Sequence, residues 1–206
     1  MLTIQAQNSF LLGLYREFHI TLEKLKDATK KGTYVYSEEQ KSSGTETKES
    51  NTSASTNRIY QDLVDLLDAQ KLKAEKSGQE MGGRLYEDAL FIMAAMADEV
   101  FLTTQWAGQE AWSRFLLETK FFGSNAGGEI FFSKLDALLK NRDPVYTELA
   151  MMYLLALSLG FRGKYHGIND SGAIEDYKEQ LFSFIFQSSP NLDSPNKKLF
   201  TQTYQN

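Results

Sequence analysis

The 206-residue chain has no cysteine, which removes disulfides, thiolate metal sites, iron–sulfur clusters and every thiol-nucleophile mechanism. Histidine is nearly absent as well. Only His19 and His166 occur, too far apart for a short two-imidazole motif such as H-E-x-x-H. Asp and Glu number 27 against 22 Lys and Arg, a formal charge of −5, so there is no overall basic field for a phosphate backbone and no nucleic-acid partner is expected. No long hydrophobic run is present. The most apolar stretch, Leu149 to Phe161, would span about 20 Å as a helix, short of the roughly 30 Å hydrocarbon core of a bilayer. The N-terminus lacks a basic region ahead of its apolar residues and does not read as a signal peptide. With 42% hydrophobic and 13% aromatic residues, the chain has material for one large or two small packed domains.

What is present is helical periodicity. Phe10, Leu11, Leu14, Phe18, Leu22 and Leu25 follow a three-and-four spacing, which predicts an amphipathic helix from about residue 3 to 28. Residues 37–58 read SEEQKSSGTETKESNTSASTNR, with Ala54 as the only aliphatic side chain, and predict a flexible polar loop. Ile59, Leu63, Leu66 and Leu67 begin a second helix that stops at Ser77-Gly78. Leu85 to Leu102 is apolar on most faces and predicts a central buried helix. Trp112, Phe115, Leu116 and Thr119 mark a shorter helix, and Glu129 to Lys140 another. Asp143-Pro144 is a helix start, with Asp as N-cap and Pro in the first turn, for a helix from Val145 to Leu159. Asp170-Ser171 caps a last helix carrying Ile174, Tyr177, Leu181, Phe184 and Ile185, before Pro190 and Pro195. No period-two strand pattern and no internal repeat occurs.

Several constellations invite chemistry. Asp98-Glu99 sits in the most apolar helix, where a buried carboxylate has a raised pKa. Consecutive helix positions diverge by about 100°, however, so a structural role is expected, one carboxylate capping or pairing inside and the other facing solvent. GSNAGGE, Gly123 to Glu129, precedes a helix as phosphate loops do, but it lacks the Lys and Ser/Thr of a P-loop and reads as an interhelical turn with Glu129 in the first turn. GFRGKYHG, Gly160 to Gly167, concentrates two cations, two aromatics, a histidine and three glycines, a density typical of interaction surface. Its Arg162 and Lys164 can pair with a partner or internally with Asp98, Glu99 or Glu129. Trp106 and Trp112 suit either core or interface. The competing enzymatic reading is a helical hydrolase or small-molecule-binding domain using Asp98, Glu99 and His166, which requires them to converge on one concave site.

Taken in order, the motifs resemble a known family. Asp98-Glu99 followed by Trp106, Trp112-Ser113, Gly127-Gly128-Glu129 with Phe131-Phe132, Leu159-Gly160-Phe161 and Gly163-Lys164-Tyr165 are similar in order and separation to the IcmH/DotU family, also called TssL. These are inner-membrane components of bacterial type VI and type IVB secretion systems. The resemblance covers about residues 85 to 204. Two departures are Ala126, where members often carry an aromatic residue, and the long Ser/Thr/Glu loop.

The resemblance implies an all-α, hook-like arrangement of about seven to eight helices in two small bundles. The organisation expected is an N-terminal amphipathic helix within residues 1–36 packing on the bundle, the loop 37–58, a helical bundle 59–189 and an irregular tail 190–206 leading toward a C-terminal transmembrane helix outside this chain. It further implies a non-enzymatic subunit of the inner membrane, without cofactor or metal, whose cytoplasmic domain docks an IcmF/TssM-like membrane protein and, in a type VI system, baseplate components. A homodimer through the membrane helix is a further expectation. The resemblance further implies that this segment is soluble, its anchor lying outside it. The candidate interface residues are Asp98, Glu99, Trp106, Glu129, Arg162, Lys164, Tyr165 and His166.

Overall fold

Apolar side chains recurring at helical spacing fold as α-helices throughout, and no strand occurs among the described residues. The computed structural model describes residues 9–31, 47–76 and 80–188. The helices are α1 (Phe10–Lys31), α2 (Thr47–Lys76), α3 (Glu80–Thr103), α4 (Gln109–Trp112), α5 (Leu117–Phe122), α6 (Gly127–Asn141), α7 (Thr147–Ser158) and α8 (Ala173–Ser188). Two 3₁₀ turns, Pro144–Tyr146 and Gly163–Tyr165, punctuate the second half. The fold is all-α as expected. Six of the described helices run twelve residues or more, slightly fewer than the seven to eight expected, because α4 and α5 are only four and six residues long.

Helix α3 is the hub. Every residue from Ala89 to Asp98 is buried, and α1, α2, α5, α6 and α7 all pack on this helix. Helix α8 packs chiefly on α7. Along α1 the buried stripe is Leu11, Leu14, Tyr15, Phe18, Leu22 and Leu25, laid against α2, α3 and α7. The start of α1 is also tied down from afar, since the Leu11 N–H donates to Glu148 Oε2 of α7 at 3.0 Å. Buried side chains from all the longer helices join in one continuous apolar cluster.

Two expectations need correction. Within the stretch read as a flexible loop, residues 47–58 are helix, the first turns of α2; residues 37–46 lie outside the described residues, as do Ser77-Gly78 and the tail 190–206. The low apolar content of this stretch hid the period. Thr56 is fully buried, and with Ile59, Leu63, Leu67, Gln70 and Ala74 it forms a three-and-four stripe whose first member is a hydroxyl residue. Thr56 sits under the backbone of Gly108, where a β-carbon would collide with its side chain and with the Trp106 ring.

The second correction concerns the helix expected across Trp112 to Thr119. The chain breaks there into α4 and α5, with Leu116 extended at φ −73°, ψ 133°. The Asp98 carboxylate draws the Leu117 and Glu118 N–H groups toward α3, which fixes a new helix start inside an otherwise continuous apolar pattern. Farther along, Asp143 accepts from the Val145 N–H at 3.0 Å with Pro144 at the first position, as expected, but the first turn is 3₁₀. Residues 144–165 are the one described stretch long and apolar enough to suggest a membrane span; its twelve-residue α7 packs on α8, α3 and α1.

Candidate functional site

The C-terminal end of α3 carries two adjacent carboxylates that serve different loops. Asp98 Oδ1 accepts from the Trp112 indole N–H at 3.1 Å and the Leu117 N–H at 3.0 Å, and Oδ2 accepts from the Glu118 N–H at 2.9 Å. Asp98 therefore caps α5 across 19 and 20 residues of sequence. Glu99, one residue on and turned to another side of α3, accepts from the Arg162 N–H at 2.8 Å through Oε1 and the Gly163 N–H at 2.6 Å through Oε2. It caps the 3₁₀ turn Gly163–Tyr165. A third carboxylate extends the chain of caps: Glu118 accepts from Ala126 N–H at 3.1 Å and Gly127 N–H at 2.7 Å, at the start of α6.

Glycines permit these approaches. At Gly127 a β-carbon would fall against the Glu118 carboxylate. At Gly128 one would stand 2.8 Å from the Gly163 carbonyl carbon, and Gly163 itself has φ +47°, where a side chain is strained. The start of α6 and the Gly160–Gly167 segment thus meet backbone to backbone. Phe161 and Tyr165 seal the contact, with ring centroids 4.2 Å from Phe131 and 4.9 Å from Phe132 respectively.

Around this junction lies a cleft of about 500 Å³ whose lining includes Asp98, Glu99, Glu118, Gly128, Gly163 and His166. Asp98 is 5% exposed, and burial pushes its carboxyl up from 3.8 to about 6. The Glu118 and Leu117 amides and the Trp112 indole pull it down, while the charge of Glu118 adds to the rise. Asp98, Glu99 and His166 therefore share one cleft, as the enzymatic reading required. Yet the oxygens of both carboxylates are engaged by the protein's own N–H groups; Asp98 caps as expected, but Glu99, expected to face solvent, caps a second segment because α3 turns it toward the Arg162 and Gly163 amides.

The remaining candidates divide. Lys164, exposed, lies 5.1 Å from the Phe132 and Tyr165 ring centroids, and His166 is exposed beside it. Arg162 does not pair with Asp98, Glu99 or Glu129; its guanidinium lies 3.6 Å from Asp170, because Glu99 takes the backbone of Arg162 instead. Glu129 is exposed in the first turn of α6. Trp106 is half-buried, donating its indole N–H to the Phe101 carbonyl at 2.9 Å, edge-on to Phe101 and Trp112. Trp112 is fully buried. Sequence reasoning missed Glu118, which has no local signature beyond an acidic residue in the first turn of a short helix.

The family model described as type VI secretion system protein DotU matches residues 43–204, well over half of the chain. No curated protein and no solved structure gives a significant match. The matched span contains every piece of the junction, from Asp98-Glu99 through Gly127-Gly128 to Gly163-Lys164-Tyr165. The chain belongs to the DotU family, structural components of the type VI secretion system and its membrane complex.

Proposed function

We propose that this domain is a docking platform on the cytoplasmic side of the bacterial inner membrane, holding an IcmF/TssM-like membrane protein and baseplate components together. The proposed contact surface is the rim of the cleft, with Lys164, Tyr165 and His166 on one side and the exposed Glu129 on the other. One observation carries the reading: Asp98, Glu99 and Glu118 direct their oxygens to backbone N–H groups of three separate segments. Such a network fixes loops in place before a partner arrives, which lowers the ordering cost of association. A substrate would have to displace those amides before either Asp98 or Glu99 could act as acid or base.

The test is capture of the IcmF/TssM-like partner and of baseplate proteins by the chain and by Lys164→Glu. Lys164 makes no ion pair among the described residues and is exposed, so the variant should fold with an unchanged circular dichroism spectrum. Reversing a rim charge against a complementary surface should weaken capture at least tenfold. Unchanged capture of both partners would remove the Gly160–Gly167 segment as the interface.

A further inference from the structure

Glu118 is 4% exposed and acts in two directions at once. Its own N–H is held by Asp98 Oδ2 at 2.9 Å, while its carboxylate holds the Ala126 and Gly127 N–H groups at 3.1 and 2.7 Å. The position of α3 is thereby passed to the start of α5 and from there to the start of α6. The fit is close, since a β-carbon on Gly127 would overlap Glu118 Oε2.

Helix α6 in turn supports the rim. A β-carbon on Gly163 would stand 2.9 Å from the Gly128 carbonyl oxygen. Phe132 carries the Tyr165 ring, with centroids 4.9 Å apart, and the Lys164 ammonium, 5.1 Å from the Phe132 centroid. Packing contacts of this kind lose a quarter to a half of their attraction when a gap of about 0.5–1 Å opens. The rim then returns to α3, because Glu99 accepts from the Arg162 and Gly163 N–H groups.

The links close a circuit that starts and ends on consecutive residues of α3. Asp98 joins α3 to α5, Glu118 joins α5 to α6, Gly128 and Phe132 join α6 to the rim, and Glu99 joins the rim to α3. The rim is therefore fixed from two sides. Glu99 ties its backbone to α3, but its seat on α6 depends on where α6 begins, and the Glu118 carboxylate sets that point.

We propose that Glu118 is the positioning residue of the Lys164–His166 rim, acting through the start of α6 and not by contact with a partner. The consequence for partner capture rests on the docking reading above; the positioning itself does not. A residue that only closed the turn between α5 and α6 would matter to residues 124–128 alone.

The test is amide hydrogen exchange of the whole chain without a partner, for the parent, Glu118→Ala and Glu118→Gln, each at the same interval below its own melting temperature. Glu118→Ala should speed exchange at Gly163, Tyr165 and His166 by about fivefold or more, as well as at Ala126 and Gly127, while α1 and α2 keep their protection. Glu118→Gln keeps one acceptor oxygen and should give a smaller acceleration at both places. Phe18→Ala destabilises through α1, outside the circuit, and should leave the rim at the parent rate. Should Glu118→Ala fail to fold, Glu118→Gln and Gly128→Ala, which breaks the next link, read the same amides. Acceleration confined to residues 124–128, acceleration spread evenly over the chain, or a rim response to Phe18→Ala as large as that to Glu118→Ala would overturn the proposal. Capture is read separately. Unchanged capture by Lys164→Glu removes the docking reading and leaves the exchange result to decide the positioning. Where Lys164→Glu does weaken capture, Glu118→Ala should weaken it about threefold or more, and unaltered capture there would overturn the link between rim placement and binding.

Discussion

Asp98 accepts three N–H groups in a place that burial makes costly for its charge. Its folded-state pKa, about 6, is above the ordinary 3.8, so folding favours the protonated form. The stability associated with that preference is present below about pH 4 and is lost as pH rises through about 6, on the order of 2–3 kcal/mol in all. Asp98→Asn cannot titrate. The difference in unfolding free energy between parent and variant, from urea denaturation, should therefore shift against the parent between about pH 4 and pH 7. A pH-independent difference would show that the buried carboxyl keeps an ordinary pKa. Gly128 makes the opposite kind of prediction, a steric one. Gly128→Ala puts a β-carbon 2.8 Å from Gly163, and overpacking there should cost about 1–3 kcal/mol, read as a lower melting temperature. Asp98-Glu99 was visible in the sequence as a constellation, and a structural role for it was expected. Which amides it holds was not visible, since Leu117 and Arg162 are 19 and 63 positions from their acceptors.

Helix starts in this protein are repeatedly capped from other elements. Glu148 holds the N–H of Leu11 at the start of α1, Asp98 holds α5, Glu118 holds α6 and Glu99 holds the 3₁₀ turn at Gly163. A cap of this kind joins two elements as well as ending a helix. Glu99→Ala leaves the Arg162 and Gly163 amides without their acceptor and should cost about 1–3 kcal/mol. Its sharper readout is hydrogen exchange: protection at residues 162–165 should fall while α1 and α2 keep theirs. Uniform loss of protection would mean that Glu99 supports the whole fold and not one segment. Helix α1 depends on burial instead. Phe18 is fully buried against the bundle, and Phe18→Ala should cost about 3–5 kcal/mol, whereas removal of one terminal hydrogen bond to Glu148 should cost about 1 kcal/mol. The apolar stripes of α1, α3 and α8 were readable because their spacing is local. The first turns of α2 were not, because the stripe begins at Thr56, whose burial depends on Gly108 of a different segment.

Across the molecule, one junction joins α3, α5, α6 and the Gly160–Gly167 segment, since Asp98, Glu99 and Glu118 each reach the backbone of a different segment. A junction that ties together segments far apart in sequence fits a structural component of the type VI secretion system. From residue order alone came the all-α class, the central buried helix, the Asp143-Pro144 helix start, the exclusion of thiol chemistry and the family resemblance that the match over residues 43–204 bears out. Each depends on neighbours a few positions apart or on composition. Tertiary structure alone decided the break between α4 and α5, the roles of Asp98, Glu99 and Glu118, and the contact of Gly128 with Gly163. These are set by groups brought together from distant parts of the chain, where a carboxylate can reach an amide only after the apolar stripes have packed.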